Sequence, residues 1–350
     1  MEKLEYIVIP LLDWYRENAR DLPWRRTKDP YRILLSEVML QQTRVAAVIG
    51  YYHRFLAAAP TAADLAVLEE DALMKLWQGL GYYNRARNLQ KAARAVMEQY
   101  GGTFPDTYEG LLTLPGVGEY TAGAVASIAF GRTEAAVDGN VLRVVTRLTA
   151  DPSDITRPET RRHIAAQLKA VMPVAAPGRF NQALMELGAT VCLPNGAPQC
   201  GRCPLADQCL ACQAGDFSFP RKPPKRARTV EEKPVFLLFW EGQVALRRRP
   251  DRGLLAGLYE YPDRLPPGCG EALFVGEARH IFTHKEWHMS AWAAHSPDGR
   301  LPDGCFWAAP EDWLHTYSIP SAFSAFAPYV ETRLFPTAPQ PARRETKTHR

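Results

Sequence analysis

The stretch Leu111–Arg147, LLTLPGVGEYTAGAVASIAFGRTEAAVDGNVLRVVTR, restricts what this 350-residue chain can fold into more than any other. It reads as a short helix, a tight turn at Leu114-Pro115-Gly116-Val117-Gly118, and a second helix starting near Tyr120. Pro115 sets φ at the entry, and Gly116 and Gly118 permit positive φ and close backbone approach. The second helix leaves its first N–H groups without partners, and an N-terminus of that kind attracts anions; a DNA phosphate fits it. Further on stands Val137-Asp138-Gly139-Asn140, a lone carboxylate beside a glycine inside an apolar run. The competing reading is an ordinary helical hairpin with Asp138 as the N-cap of a helix over Val141–Thr149.

Around this stretch the chain is helical. Residues 1–19 carry Leu4, Ile7, Val8, Leu11, Leu12 and Tyr15 at three-and-four spacing, mixed with acids, which predicts a folded helix and not a signal peptide. Asp29 and Pro30 open a helix over Tyr31–Thr43, and others are predicted at 44–58, 61–67 (capped by Thr61), 70–80, 84–100, 158–172 and 178–191. No convincing period-two run occurs in residues 1–212, so an all-α domain is expected there. No apolar run approaches the roughly 18 residues of a membrane span, so a cytoplasmic protein with no membrane partner is expected.

Glu37 lies within the 31–43 helix, with Ile33, Leu34, Leu40 and Gln41 at i±3 and i±4. A glutamate at a helix edge reaching water is the plain alternative. A carboxyl in largely apolar surroundings has its pKa raised and keeps its proton nearer neutrality, as a general acid must. The net charge of +4 permits a polyanionic partner. Its placement says more: Arg20, Arg25, Arg26, Lys28, Arg85, Arg87 and Lys91 lie near Trp24, Tyr31, Tyr82 and Tyr83, as suits a nucleic-acid surface. Four of seven cysteines, Cys192, Cys200, Cys203 and Cys209, form a C-x7-C-x2-C-x5-C cluster. In a cytosolic chain this argues for metal ligation, either a structural zinc or an iron–sulfur cluster. A single C-x2-C pair departs from the paired-knuckle zinc ribbon and favours the cluster. Cys212 stands close enough to substitute for a neighbour.

Residues 213–234, rich in proline and basic side chains, read as a linker. Strands are predicted at Val235–Trp240, Gln243–Arg248, Ala272–Val275, Ala278–Thr283 and Trp287–Ala293, with a hairpin turn at Glu241-Gly242. Residues 235–332 therefore form an α+β domain, and 333–350 a disordered tail.

Leu114–Gly118, Val137–Asn140 and the cysteine loop together resemble the helix-hairpin-helix DNA glycosylases that carry a 4Fe–4S cluster. Ser36-Glu37-Val38-Met39-Leu40-Gln41-Gln42-Thr43 and Gly79-Leu80-Gly81-Tyr82-Tyr83 are similar to the adenine DNA glycosylase (MutY) family within them. The resemblance covers nearly the whole chain. It implies a multidomain fold: an all-α helix-hairpin-helix glycosylase domain (1–212, hairpin about 111–130, iron–sulfur loop 192–209), then a linker and an α+β Nudix-like domain (235–332). One departure is the first cysteine gap, seven residues where six are expected; a loop bulge absorbs it.

The resemblance also implies roles. Glu37 protonates adenine at N7 and later activates water; Asp138 stays ionised and stabilises the sugar cation, or attacks it; Tyr120 and Asn140 orient water or the aspartate. Relatives of the endonuclease III type place a Schiff-base lysine where this chain has Tyr120, and a phenol cannot form that imine. The implied enzyme is a monofunctional glycosylase with at most weak lyase activity. Trp24, Arg25, Leu40 and Gln182 are candidates for the adenine pocket, although Trp24 and Leu40 suit the core equally well. Gln42 and Tyr82 fill and wedge the opened duplex, and Gly116, Val117 and Gly118 hold a phosphate. Phe282-Thr283-His284 stands where the family reads 8-oxoguanine with Phe-Ser-His, and Thr283 keeps the hydroxyl. The implied partner is double-stranded DNA containing adenine opposite 8-oxoguanine or guanine, and a monomer associated with the nucleoid is expected.

Three other readings compete. Gly253–Pro262 suggests a Nudix hydrolase, but the following DRLPPGCGEALF lacks the glutamate-rich helix that would hold magnesium. A glycosylase for a different mismatch or oxidised base uses the same scaffold. A non-enzymatic lesion binder has no need of both Glu37 and Asp138.

Overall fold

A computed structural model describes residues 4–194, 197–224 and 227–336. The chain divides into two units, Met1–Leu68 with Asn84–Lys225, and Glu69–Tyr83 with Arg226–Arg350. Among the described residues no helix is long and apolar enough to cross a membrane.

The first unit is helical: α1 (Val8–Asn18), α2 (Pro30–Leu40), α3 (Val45–Ala58), α4 (Ala62–Val67), α6 (Asn84–Gln99), α7 (Tyr108–Leu112), α8 (Glu119–Phe130), α9 (Gly139–Thr149), α10 (Pro158–Val171), α11 (Pro177–Thr190) and α12 (Leu210–Ala214). Helix α5 (Glu70–Trp77) belongs to the second unit. The helix starts follow the expected capping chemistry. The Asp29 carboxylate accepts from the Tyr31 and Arg32 N–H groups, Pro30 takes the first turn, and Thr61 forms a capping box with Asp64. Several predicted helices run too long. The 31–43 helix stops at Leu40 because Gln42 adopts φ 58°, and the 70–80 helix stops at Trp77 before Gly79 at φ 98°. Helices α1, α9, α10, α11 and α12 share one core, built on Leu11, Val141, Val145, Ile164, Phe180 and Leu184.

Close packing at two glycines fixes the loop that carries Asp138. A Cβ on Gly123 would lie 2.2 Å from the Ala135 carbonyl oxygen, so the segment before Asp138 crosses α8 directly over that glycine. A Cβ on Gly188 would lie 2.6 Å from Asn140 Cβ, where α11 meets the start of α9. Substitution at either would move the loop that carries Asp138.

The second unit is built on a mixed sheet. Its strands are β1 (Thr229–Trp240), β2 (Gln243–Arg248), β3 (Tyr259–Glu260), β4 (Leu273–Ile281), β5 (Lys285–His295) and β6 (Cys305–Ala308), in the order β3-β2-β1-β5-β4 with β6 on β2. β1 runs parallel to β5 and the other pairs are antiparallel. Glu241 and Gly242, both at positive φ, make the predicted two-residue turn. The two strands predicted at 272–275 and 278–283 are one strand, irregular between Phe274 and Gly276, which ends at Ile281. β1 begins at Thr229, inside the stretch read as linker, because its first residues pair with Lys285–Ser290 on β5. β3, β6, α13 (Pro310–His315) and α14 (Ala327–Leu334) have no counterpart in the sequence reading. The tail read as 333–350 includes the end of α14, and residues 337–350 lie outside the described residues.

Helix α5 joins this unit through backbone carbonyls. Ser318 Oγ donates to Met74 O (3.1 Å), Lys75 Nζ to Tyr317 O (3.1 Å) and Gln78 Nε2 to Ile319 O (2.8 Å).

Candidate active site

Helices α2, α8, α9 and α11 wall a cavity of about 1050 Å³. Glu37, Tyr120, Asp138 and Asn140 all line it, as do Trp24, Arg25, Leu40, Gln42, Gly116, Gly118 and Gln182. Two carboxyls that lie 101 positions apart in sequence thus face one space.

Glu37 enters from α2 and is buried. Tyr120, on the first turn of α8, donates its hydroxyl to Glu37 Oε2 and approaches Met185 Sδ at 3.8 Å. Burial dominates the electrostatics and pushes Glu37 up to about 7; the Tyr120 bond opposes the shift and the Asp138 charge adds to it. Tyr120 is pushed well above the usual tyrosine range by burial and the two carboxylates, so it remains a neutral donor.

Asp138 is held differently. It is the N-cap of α9, as the plain hairpin reading anticipated, and it also lines the cavity. Its Oδ1 accepts from the N–H groups of Asn140 (2.9 Å) and Val141 (2.8 Å), and its Oδ2 from Asn140 Nδ2 (2.7 Å). Arg143 Nη2 donates to Asn140 Oδ1 (2.9 Å), which fixes the amide with its NH₂ toward the aspartate. These donors favour the anion, as expected, yet burial outweighs them and leaves the Asp138 pKa above its ordinary value. The segment entering Asp138 is pinned by fully buried Asn181, which accepts from Ala136 N (3.0 Å) and donates to Glu134 O and Ser127 Oγ (both 2.8 Å).

The hairpin turn has the expected form with one exception. Gly116 sits at φ 75°, and a Cβ there would lie 2.5 Å from Asn88 Cβ, so only glycine fits. Gly118 caps α8 with no side chain over the first N–H groups. Val117 does not face the cavity: its side chain is buried and its N–H closes on Leu114 O (3.1 Å).

Sequence reasoning missed Glu186, which lines the same cavity. It is 1% exposed and bound by Arg20 (Nε and Nη2, both 2.7 Å) and Arg25 Nη2 (2.7 Å). Those hydrogen bonds overcome burial and hold it at about 2, so it is ionised at neutral pH, whereas burial keeps the Glu37 proton bound to higher pH. The signal was present: Gln182 and Glu186 stand at i and i+4, on one face of the same helix.

In the second unit, Phe282–His284 forms the turn between β4 and β5. The Phe282 ring packs edge-on against Trp287 at 4.9 Å, and Thr283 and His284 are exposed. The Tyr82 hydroxyl lies 3.0 Å from Thr283 Oγ1. Residues 263–270, where a magnesium-binding helix would be needed, form turns and bends. Glu260 is engaged by Lys233, Arg247 and Arg249.

Cys192, Cys200, Cys203 and Cys209 interact electrostatically, with Cys212 beside them. Burial, reinforced by neighbouring thiols, pushes Cys200 up to about 11 and Cys203 up to about 12. Among the described residues no three His, Cys, Asp or Glu side chains are placed to hold a single metal ion. Donors around the sulfurs favour their anionic form. Backbone N–H groups of Leu205, Ala211 and Cys212 reach the sulfurs, and Arg147 Nη1 lies 3.2 Å from Cys192 Sγ.

The chain matches two family models, HhH-GPD superfamily base excision DNA repair protein over residues 35–170 and NUDIX domain over residues 235–327. Solved structures agree with the helical unit. A thermostable thymine-DNA glycosylase superposes with a TM-score of 0.56 at 30% identity, over 61% of this chain and 97% of that one. An endonuclease III trapped as a covalent intermediate with DNA gives 0.53 at 26% identity, over 61% and 99%. Fold and site thus define a helix-hairpin-helix base-excision glycosylase scaffold carrying a Nudix-like domain. The adenine DNA glycosylase of Mus musculus is 35% identical over 400 residues, covering 92% of this chain and 78% of that protein. The chain belongs to the adenine DNA glycosylase family.

Proposed function

We propose that the chain hydrolyses the N-glycosidic bond of adenine paired with 8-oxoguanine or guanine in duplex DNA. The observation that carries this reading is the single cavity in which Glu37 and Asp138 meet under different hydrogen-bonding regimes. A target adenine leaves the base stack and enters that cavity. Glu37 delivers its proton to N7, which improves the leaving group, and the resulting carboxylate then takes a proton from water. Asp138 stabilises the oxocarbenium-like sugar through its charge, or through a transient ester, and Asn140 holds it in place. Trp24, Arg25, Leu40 and Gln182 surround the base, and Glu186 keeps Arg25 in position. Tyr120 supplies no amine, so base loss proceeds without strong strand nicking. Gln42 and Tyr82 occupy the opened duplex, and Gly116 and Gly118 receive a phosphate. The reading has the protein act as a monomer on nucleoid DNA in the cytoplasm.

Duplexes holding A opposite 8-oxoguanine, A opposite G, and T opposite G test the proposal directly. Release of adenine from the first two is expected. Release of thymine alone, or binding with no release, would replace this reading with one of its rivals.

The protonation of Glu37 sets a pH dependence. Its folded pKa is raised to about 7, so the acid form is lost as pH rises through that value. Above it the single-turnover rate should fall roughly tenfold per pH unit. A rate that stays flat from weakly acidic to alkaline pH would remove Glu37 as the acid.

Lesion preference is assigned to Phe282, Thr283 and His284. Thr283→Ala should reduce the preference for 8-oxoguanine over guanine about tenfold, the effect of one lost hydrogen bond, with little change toward A opposite G. An unchanged preference ratio would show that the loop does not read the lesion. This substitution is a cleaner test than truncation, because removing the C-terminal segment would strip α5 of Tyr317, Ser318 and Ile319.

Cys192, Cys200, Cys203 and Cys209 would hold one 4Fe–4S cluster, which supplies a covalent tie across the loop after α11. The purified protein should be brown and contain roughly four irons per chain. Zinc in place of iron by elemental analysis would reject the cluster.

A further inference from the structure

Arg85, near the start of α6, has no part in the chemistry outlined above, yet it is tied into one of the elements that carries it. The last four carbonyls of a helix have no intrahelical donor. At the end of α2 the Arg85 guanidinium meets two of them: Nη1 lies 2.8 Å from Val38 O and 3.0 Å from Met39 O. The same nitrogen reaches Gln41 O at 2.6 Å, beyond the helix, and Nη2 lies 3.4 Å from Thr43 Oγ1. Thr43 closes the turn with its N–H on Leu40 O (3.3 Å) and its hydroxyl on Gln41 O (3.4 Å). Between these fastened residues stands Gln42, at φ 58° and facing the cavity. A non-glycine residue in the left-handed region persists only where its surroundings over-determine it. Here one cation binds the carbonyls that precede Gln42 and the Thr43 hydroxyl that follows it, and its charge opposes the negative end of the α2 dipole.

We propose that Arg85 is a positioning residue for DNA opening: its guanidinium holds the Leu40–Thr43 turn in the conformation that presents Gln42 to the duplex. The inference rests on the reading of Gln42 as the side chain that fills the gap left by the extruded adenine. Lysine at this position would keep the charge and lose the planar fork that meets four acceptors.

The test uses the full-length protein and a duplex whose adenine carries a 2′-fluoro group, which resists hydrolysis, with 2-aminopurine beside it to report unstacking. Arg85→Lys should lower the extrusion signal and the single-turnover release rate on normal substrate by about tenfold. Thermal melting should stay within a few degrees of the parent. Gln42→Ala should give a similar loss, and the double variant should lose no more than Gln42→Ala alone, because both changes act on one event. Additive losses in the double variant, with Gln42→Ala still impaired, would overturn the role of Arg85 and leave the reading of Gln42 standing. Normal extrusion by Gln42→Ala would sink that reading, and the inference with it. If Arg85→Lys melts far below the parent, Arg85→Gly supplemented with methylguanidinium replaces it. Restored extrusion supports the proposal, and restored melting without restored extrusion opposes it.

Discussion

Glutamine in place of Glu37 is expected to slow adenine release by about 10²–10⁴-fold, the range that a positioned general acid–base group supplies. Gln is nearly isosteric and its amide carbonyl can still accept the Tyr120 hydroxyl, so the wall of the cavity should keep its shape. What disappears is the proton that burial retains near neutrality. Binding to a duplex with A opposite 8-oxoguanine should therefore change little, and the residual rate should lose its dependence on pH around 7. Single-turnover kinetics beside a binding titration separates the two effects. Release within tenfold of the parent would show that the proton comes from elsewhere.

Asparagine in place of Asp138 removes a charge with almost no change in volume, and should lower release by about 10²–10³-fold, as loss of a preorganised electrostatic partner does. This change also disturbs the ground state. The new amide can accept the N–H groups of Asn140 and Val141 through its oxygen, but its NH₂ then faces the NH₂ of Asn140. Asn140 cannot turn away freely, because Arg143 holds its carbonyl end and is itself bound to Gly188 O (2.7 Å) and Cys192 O (2.7 Å). A stability loss of about 1 kcal/mol, seen as a few degrees in melting temperature, should accompany the loss of rate. Full activity at lowered stability would confine Asp138 to its capping role.

Much of the helical unit was legible because its signals are local. Asp29-Pro30 and Thr61 open helices by satisfying backbone donors within a few residues, and Gly116 is required by a turn that the sequence spells out. Helix ends were less legible. The turn that ends α2 is bound by Arg85, 45 positions beyond Leu40, and no local rule carries that information. In the second unit, Val235–Trp240 and Gln243–Arg248 announce a hairpin through two short strand-like runs joined by a two-residue turn. β3 and β6 are too short for any period to show, and exist because β2 offers them an edge.

The sequence by itself determined the apolar surroundings of Glu37, the glycine turn, the cap at Asp138 and the grouping of the four cysteines. Each depends on residues only a few positions apart. Only the tertiary structure decided that Glu37 and Asp138 open on one cavity, that Glu186 with Arg20 and Arg25 lines it, that Val117 turns away from it, and that α5 joins the C-terminal sheet. Burial is the physical reason. It shifts the Glu37 and Asp138 pKa values and aligns their donors, and it is a property of the packed chain that no short window of sequence contains.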